Sequence, residues 1–221
     1  MDFIKEVIEG EEFIFDYRRV IYWPRNKILI ATDLHWGKTT FLQMHGIPVS
    51  DKILDEDLKR LSEVISQYNP QTFIVLGDLI HHEKSLSRNL VEKIIRFREV
   101  HPCELILIKG NHDLYTVFPE SWGIVEESEF MIDNFYFVHE YKKNLKRYQF
   151  SGHLHPRISL SFGNDHLKLP AFILTKDQCL LPAFSHFTSG LDIRPSGKER
   201  VIAVLPSGLE LIRYEKNREQ E

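Results

Sequence analysis

The chain has 221 residues, 43% of them hydrophobic, which suits one domain with a sizeable core. Its 28 basic and 32 acidic side chains leave a formal charge of -4, which excludes a global positive field, so any polyanion must be held locally. The two cysteines, Cys103 and Cys179, lie far apart without a CxxC spacing, which excludes a disulfide scaffold or a zinc ribbon and fits a reducing cytoplasm.

In chain order, charges interrupt Met1-Asp2-Phe3-Ile4-Lys5-Glu6 before any signal-like stretch develops, and no run approaches the roughly 18 apolar residues needed to span a bilayer. The expected location is therefore cytoplasmic, without a membrane partner. Residues 27–32 form a compact apolar run that predicts a buried strand ending at Asp33-Leu34-His35. Residues 51–68 place Ile53, Leu54, Leu58, Leu61, Val64 and Ile65 at helical spacing, closed by Asn69-Pro70. A second strand, 72–76, runs into Gly77-Asp78, and a second helix, 89–100, is ended by His101-Pro102. A third strand, 105–108, precedes Gly110-Asn111-His112-Asp113, a fourth, 135–138, precedes His139, and a weaker one, 148–150, precedes Gly152-His153-Leu154-His155.

This order predicts a layered α/β fold with right-handed crossovers. Beyond His155, short pieces at 158–162, 171–174, 178–181, 201–205 and 209–214 are parted by turn signals such as Gly163-Asn164-Asp165 and Pro206-Ser207-Gly208. They read as hairpins of a second sheet. The histidines on both sides of this change place residues 1–221 in a single domain of two facing sheets with helices outside, and 215–221 reads as a frayed polar tail.

Strand-end placement would gather Asp33, His35, Asp78, Asn111, His139, His153 and His155 where open α/β sheets bind ligands. Asp33 and His35, one residue apart at a strand end, would leave the same face, and His153 and His155 would repeat that geometry. Asp78 is the natural bridge between two cations because a carboxylate offers two oxygens. An oxygen and nitrogen donor set without thiolate suits Mn²⁺, Fe²⁺, Zn²⁺ or Mg²⁺. Two such ions roughly 3.5 to 4 Å apart can share a hydroxide and hold a phosphoryl group for in-line attack, so hydrolysis is the expected reaction. His112 would act as general acid, with Asp113 fixing its tautomer. Lys38 and Arg157, beside the first and last of these segments, would hold substrate phosphate oxygens. The cluster Lys142, Lys143, Lys146 and Arg147 reads as a solvated loop face in preference to a track for nucleic acid, His81 and His82 as rim or solvated residues, with His81 placed where it could line the cleft, and His45, His101, His166 and His186 as surface histidines.

The segments DxH, GD, GNHD, H and GHxH, in this order, resemble the calcineurin-like metallophosphoesterase superfamily. The resemblance implies an αββα two-sheet sandwich, one metal held by Asp33, His35, Asp78 and His155, and the other by Asp78, Asn111, His139 and His153. Val138 stands where that family often has glycine. A narrower resemblance rests on Thr32 through Lys38, Gly46-Ile47-Pro48, Gly152 through Ile158, Leu181-Pro182-Ala183-Phe184 and Phe187-Thr188. These are similar to bacterial ligase-associated DNA-damage-response phosphoesterases, relatives of the nuclease subunit of double-strand-break repair complexes. The departures are Trp36 and Ser185-His186, two places expected to shape substrate access. The resemblance implies a phosphodiesterase or endonuclease acting on DNA during repair, with two divalent ions, manganese foremost, and a functional association with DNA ligase and helicase. A phosphatase or pyrophosphatase for nucleotides or other small phosphoesters is the alternative, and a non-catalytic interaction module a third reading.

Overall fold

The computed structural model describes residues 1–162 and 165–212. The expected turn at 163–164, the last two residues of the 209–214 strand and the 215–221 tail lie outside the described residues. The chain opens with a meander absent from the apolar-run reading: β1 (Phe3–Ile8), β2 (Glu11–Asp16) and β3 (Val20–Trp23), paired antiparallel. Its local signal is Glu9-Gly10, both at positive φ, between two period-2 segments.

β4 (Ile28–Ala31) pairs antiparallel with β3. After α1 (Lys38–Met44) and α2 (Lys52–Tyr68), the chain enters β5 (Thr72–Leu76), then α3 (Arg88–Val100), β6 (Glu104–Ile108) and β7 (Ile124–Glu127). β4 to β7 are mutually parallel, and β1 to β7 lie side by side in sequence order. The two helices predicted from periodicity are found within one residue of their expected starts. Asn69 closes α2 in a left-handed turn at φ 44, and the Ser87 hydroxyl caps α3 by accepting from Leu90 N at 3.2 Å.

The apolar runs are continuous because the central strands are buried on both faces. Ile28, Ile30, Ile74, Ile106 and Ile108 face a second sheet. Leu29, Ala31, Phe73, Val75, Leu105 and Leu107 face Leu54, Leu61 and Val64 of α2 and Leu90, Ile94 and Phe97 of α3.

The second sheet is built from β8 (Phe130–Ile132), β9 (Phe135–Phe137), β10 (Tyr148–Ser151), β11 (Arg157–Phe162), β12 (Asp165–Leu174), β13 (Gln178–Leu180), β14 (Arg200–Leu205) and β15 (Gly208–Ile212). Its order is β15-β14-β12-β13-β10-β9-β8, with β11 paired to β12. The expected hairpins are β11–β12 and β14–β15, whereas β10 runs parallel to both of its neighbours, β9 and β13. Aromatic side chains knit the sheets together: Phe13 meets Phe135 edge-on at 5.1 Å and Phe150 at 4.9 Å, and Phe15 meets Phe172 edge-on at 5.1 Å. The result is an α/β two-sheet sandwich of the metallophosphoesterase type, with α2 and α3 on the outer face of the first sheet. The outer face of the second carries its own apolar cluster, Ile158, Leu169, Ala171, Ile173 and Val201, against which Leu160 of β11 packs.

Both cysteines are free, and Cys179 lies in the core between the sheets. No described helix is long and apolar enough to cross a membrane. The connections after the parallel strands are tied together: Phe184 N donates across the two sheets to Thr32 O at 2.8 Å, and within the second sheet Gly152 N donates to His139 O at 3.0 Å and Leu181 N to Ser151 O at 2.8 Å.

Candidate metal centre

The chain leaves β4 at Ala31 and runs beside the segment that leaves β5. Asp33 N donates to Gly77 O at 3.0 Å, His35 N to Asp78 O at 2.9 Å and Trp36 N to Leu79 O at 2.9 Å. Asp33 and His35 were expected to share a face through strand alternation, but neither lies in a strand. They adopt left-handed φ values of 54 and 47, as do Asp78 at 52, His153 at 69 and His155 at 46. These five are among only eleven described non-glycine residues with positive φ. Such a conformation costs about 1–3 kcal/mol per residue and clusters where function demands a fixed geometry. The pairs converge because a left-handed residue bends the loop inward, so the strand-based reason is corrected while the convergence stands.

Two glycines are required by space. A Cβ on Gly77, which sits at φ 81, would overlap the His139 ring, and one on Gly152 would overlap Thr32 Oγ1 and come within 2.7 Å of Asp33 Oδ2. Glycine therefore precedes Asp78 and His153 because His139 in the one case, and Thr32 and Asp33 in the other, occupy the volume a Cβ would need.

The structure brings all seven expected donors together. Asp33, His35, Asp78 and His155 can each point one ligand atom into a common volume, and Asp78, His139 and His153 into a second, so Asp78 belongs to both. His155 Nε2 stands 3.1 Å from Asp33 Oδ1 and 3.4 Å from His35 Nε2. His139 Nε2 stands 3.5 Å from Asp78 Oδ1, 3.1 Å from Asn111 Oδ1 and 3.2 Å from His153 Nδ1. His139 is buried and integral to the second group despite Val138 before it.

The imidazoles are oriented from behind. His139 Nδ1 bonds Leu76 O at 2.8 Å and His155 Nδ1 bonds Ser189 O at 2.7 Å. A ring that donates Nδ1–H to a carbonyl turns the lone pair of Nε2 into the site, the arrangement that metal-binding histidines use. Four observations fit divalent cations. Asp33 Oδ1 is buried and its nearest polar neighbour is His155 Nε2 at 3.1 Å, a distance that a cation could bridge. Burial, together with His155, His112 and Lys38, holds His35 far below the usual histidine range and hence neutral. Burial raises Asp78, with His139 opposing and the adjacent Asp33 adding to the rise. Burial lowers His155, but its pairing with Asp33 more than offsets this and leaves it raised. Two crowded carboxylates and facing lone pairs repel one another, and cations between them would relieve that repulsion. The donors are oxygen and imidazole nitrogen, with no thiolate.

His112 lines the same space, with Nε2 at 4.0 Å from Asp78 Oδ2 and its backbone N–H on Asp78 Oδ1 at 3.0 Å. Its Nδ1 is fixed by His81 O at 2.6 Å, and the rings of His81 and His112 stack at 5.1 Å. This corrects the expected role of Asp113. Its carboxylate is fully buried and accepts Gly110 N at 3.0 Å, Ile80 N at 3.3 Å and Leu79 N at 3.4 Å, so it binds the loops together and does not touch the His112 ring. Burial first, then Asp78, push Asp113 up to about 6, while the Gly110 N–H opposes the rise.

Lys38 is half-buried at the start of α1, with Nζ 5.7 Å over the Phe187 ring, and burial lowers its pKa. Arg157 follows the second histidine pair and is held by Asp192 Oδ1 at 2.9 Å. Trp36 was expected to shape access; instead it is buried against Phe97 and Trp122 beneath the helices. His101 was expected at the surface, but it is buried and bonded to Ser62 Oγ at 2.6 Å. Lys142, Lys143, Lys146 and Arg147 are exposed. The sequence reading missed Arg19, Lys168 and the position of His186, which line a cavity of about 220 Å³ on the far side of His155. No motif marks them, because they come from three separate segments.

A family model for calcineurin-like phosphoesterases matches residues 26–178. Among solved structures, the Pseudomonas putida nuclease MPE superposes with a TM-score of 0.81 at 27% identity, over 91% of this chain and 96% of that one. The phosphoesterase Yfce from E. coli aligns over 84% of this chain and 92% of that one, at 14% identity and a TM-score of 0.38. No curated protein matches significantly.

Proposed function

Because this chain belongs to the calcineurin-like phosphoesterase family, we propose that it is a dinuclear metal-dependent phosphodiesterase that cleaves DNA strands. The observation that supports this reading most is the sharing of Asp78 between two groups of donors. Asp33, His35, Asp78 and His155 would hold one divalent cation, and Asp78, Asn111, His139 and His153 the other. Manganese is our first choice, with iron, zinc or magnesium as alternatives. Bound cations in such a centre activate water and neutralise charge on a phosphoryl group.

The chain's own side chains supply the rest. His112, whose Nδ1 is fixed by His81 O, presents Nε2 as the atom that holds a proton and delivers it to the departing oxygen. Its side chain is 34% exposed, so a substrate can reach it. Asp113 is a positioning residue: by gathering three amides it fixes the loop that carries Asn111 and His112. Lys38 offers a point charge to a phosphate oxygen beside the first cation group. Such contacts grip the backbone without reading bases, so cleavage should depend little on sequence. The similarity to a nuclease favours DNA over small phosphoesters, and trimming or nicking strands beside a ligase and helicase would give this activity its place in repair.

The test is an activity screen on protein stripped of metal and reloaded with each of the four ions, against aryl phosphodiester, phosphomonoester, single-stranded DNA and duplex DNA. Cleavage of aryl diester and single strands, greatest with manganese, is the expected result. Turnover of the monoester alone, with every DNA form intact at low salt, would replace this reading with that of a small-molecule phosphatase.

A further inference from the structure

The cavity behind His155 is a second place where negative charge can be held. Its floor and walls include Arg19, Arg157, Lys168, His186 and Ser189, and no carboxylate lines it among the described residues. His155 and Ser189, joined by their 2.7 Å hydrogen bond, form the partition between this cavity and the first cation group. A group bound here would therefore lie one imidazole away from the reacting centre.

The cations of the cavity are under-compensated. Arg19 uses Nη1 to hold the carbonyls of Ser185 at 3.0 Å and Ala183 at 3.2 Å and makes no salt bridge among the described residues. Burial, then the neighbouring Arg60, push it down to about 10, with Asp57 opposing. Arg157 and Lys168 share one carboxylate, Asp192, which lies outside the cavity lining, and Arg157 Nε is buried without a partner. Three cations thus face a space that no acid lines, with Asp192 and Asp57 acting on them from outside it, in a protein whose net charge is -4. Two guanidinium forks and an ammonium match a tetrahedral oxyanion. The volume, about 220 Å³, falls below the roughly 300 Å³ at which pockets begin to enclose whole small ligands, so it suits a phosphate group and not an entire nucleotide. A neighbouring cavity of about 270 Å³ shares Arg19, Pro170 and His186 and adds Tyr17 and Leu169, which leaves room for the sugar attached to that phosphate. Arg19 and His186 also lie outside the residues that the family model matches.

We propose that the cleft formed by Arg19, Arg157 and Lys168 is a second phosphate site, which receives the phosphate next to the scissile one. This rests on the phosphodiesterase reading and deepens it: the preferred substrate would carry at least two phosphates in a row, and His155 would stand between them.

Calorimetric titration of manganese-loaded protein with thymidine 3′,5′-bisphosphate, and with each thymidine monophosphate, tests this without requiring turnover. The bisphosphate should bind about tenfold more tightly than the better monophosphate, the effect of one added charge-assisted contact. That advantage should shrink to within about twofold in Arg19→Gln and in Lys168→Gln. Lys168 has a half-exposed side chain, so its variant keeps the test valid should Arg19→Gln fail to fold. Methyl esters of the second phosphate distinguish sources: an advantage that survives esterification marks an internal phosphate of a longer chain, and one that is lost marks a terminal phosphate, both occupying the same cleft. Equal affinity for bisphosphate and monophosphate, or an advantage undiminished in both variants, would overturn the proposal. Protein that cleaves an aryl diester but shows no advantage keeps its hydrolase reading and loses the cleft, whereas the advantage without any cleavage does the reverse.

Discussion

Two regions meet at His155 and are built on different principles. On one side lie carboxylates and imidazoles whose positions are set by backbone, with left-handed residues at Asp33, His35, Asp78, His153 and His155 and carbonyls of Leu76 and Ser189 behind the rings. On the other lie long cationic side chains that arrive singly, from the β2–β3 connection, from β11 and from β12. Cation ligation tolerates errors of only a few tenths of an ångström, so its donors must be held rigidly. Charge compensation needs only reach. Damage to the first region should therefore act as a switch, and damage to the second should act by degrees.

The largest effect should come from Asp78→Asn, which weakens both donor groups at once. Elemental analysis of reloaded protein should show loss of cation at both positions, with hydrolysis falling to background; full metal content in this variant would separate the two groups. His112→Ala should keep its metal while kcat falls by roughly 10² to 10⁴, the range for a lost proton-transfer group. A smaller change would move the acid role elsewhere. Asp113→Ala leaves three buried amides without an acceptor and should lower stability by about 3 kcal/mol in urea unfolding, at about 1–3 kcal/mol for each unsatisfied group discounted for relaxation. If Asp113 instead steered the His112 proton, the kinetic loss would match that of His112→Ala while stability held. The mildest effect is ionic: kcat/KM for a single-stranded oligonucleotide should fall by about one log unit over a tenfold rise in salt, as expected for one or two phosphate contacts, while an aryl diester changes little. Equal salt sensitivity of the two substrates would remove the basic cleft from substrate binding.

The same contrast explains what could be read in advance. Residues 72–76 and 105–108 are legible because a strand buried on both faces must be apolar throughout, and Gly77-Asp78 or Gly152-His153 because a glycine is needed where a neighbouring side chain fills the space of a Cβ. β1 and β2 escaped notice because charged residues, Lys5 and Glu6 in one and Glu11 and Glu12 in the other, interrupt both faces, so no apolar run forms. The role of Asp113 was misjudged because adjacency in sequence suggested contact with His112, when a turn directs consecutive side chains apart and the carboxylate finds the amides of Leu79 and Ile80 instead. Trp36 was misjudged for a related reason, since it alternates away from His35 and into the helix layer. Arg19, Lys168 and His186 carry no local pattern at all: only the packing of β12 against the connection before β3 brings them to one cavity.

The central claim is that Asp78 is shared by two cations. Anomalous diffraction from crystals of manganese-loaded protein tests it most directly. Two peaks flanking the Asp78 carboxylate, one beside Asp33, His35 and His155 and the other beside Asn111, His139 and His153, are predicted. A single peak on one flank, or none within reach of Asp78 at saturating manganese, would contradict the account.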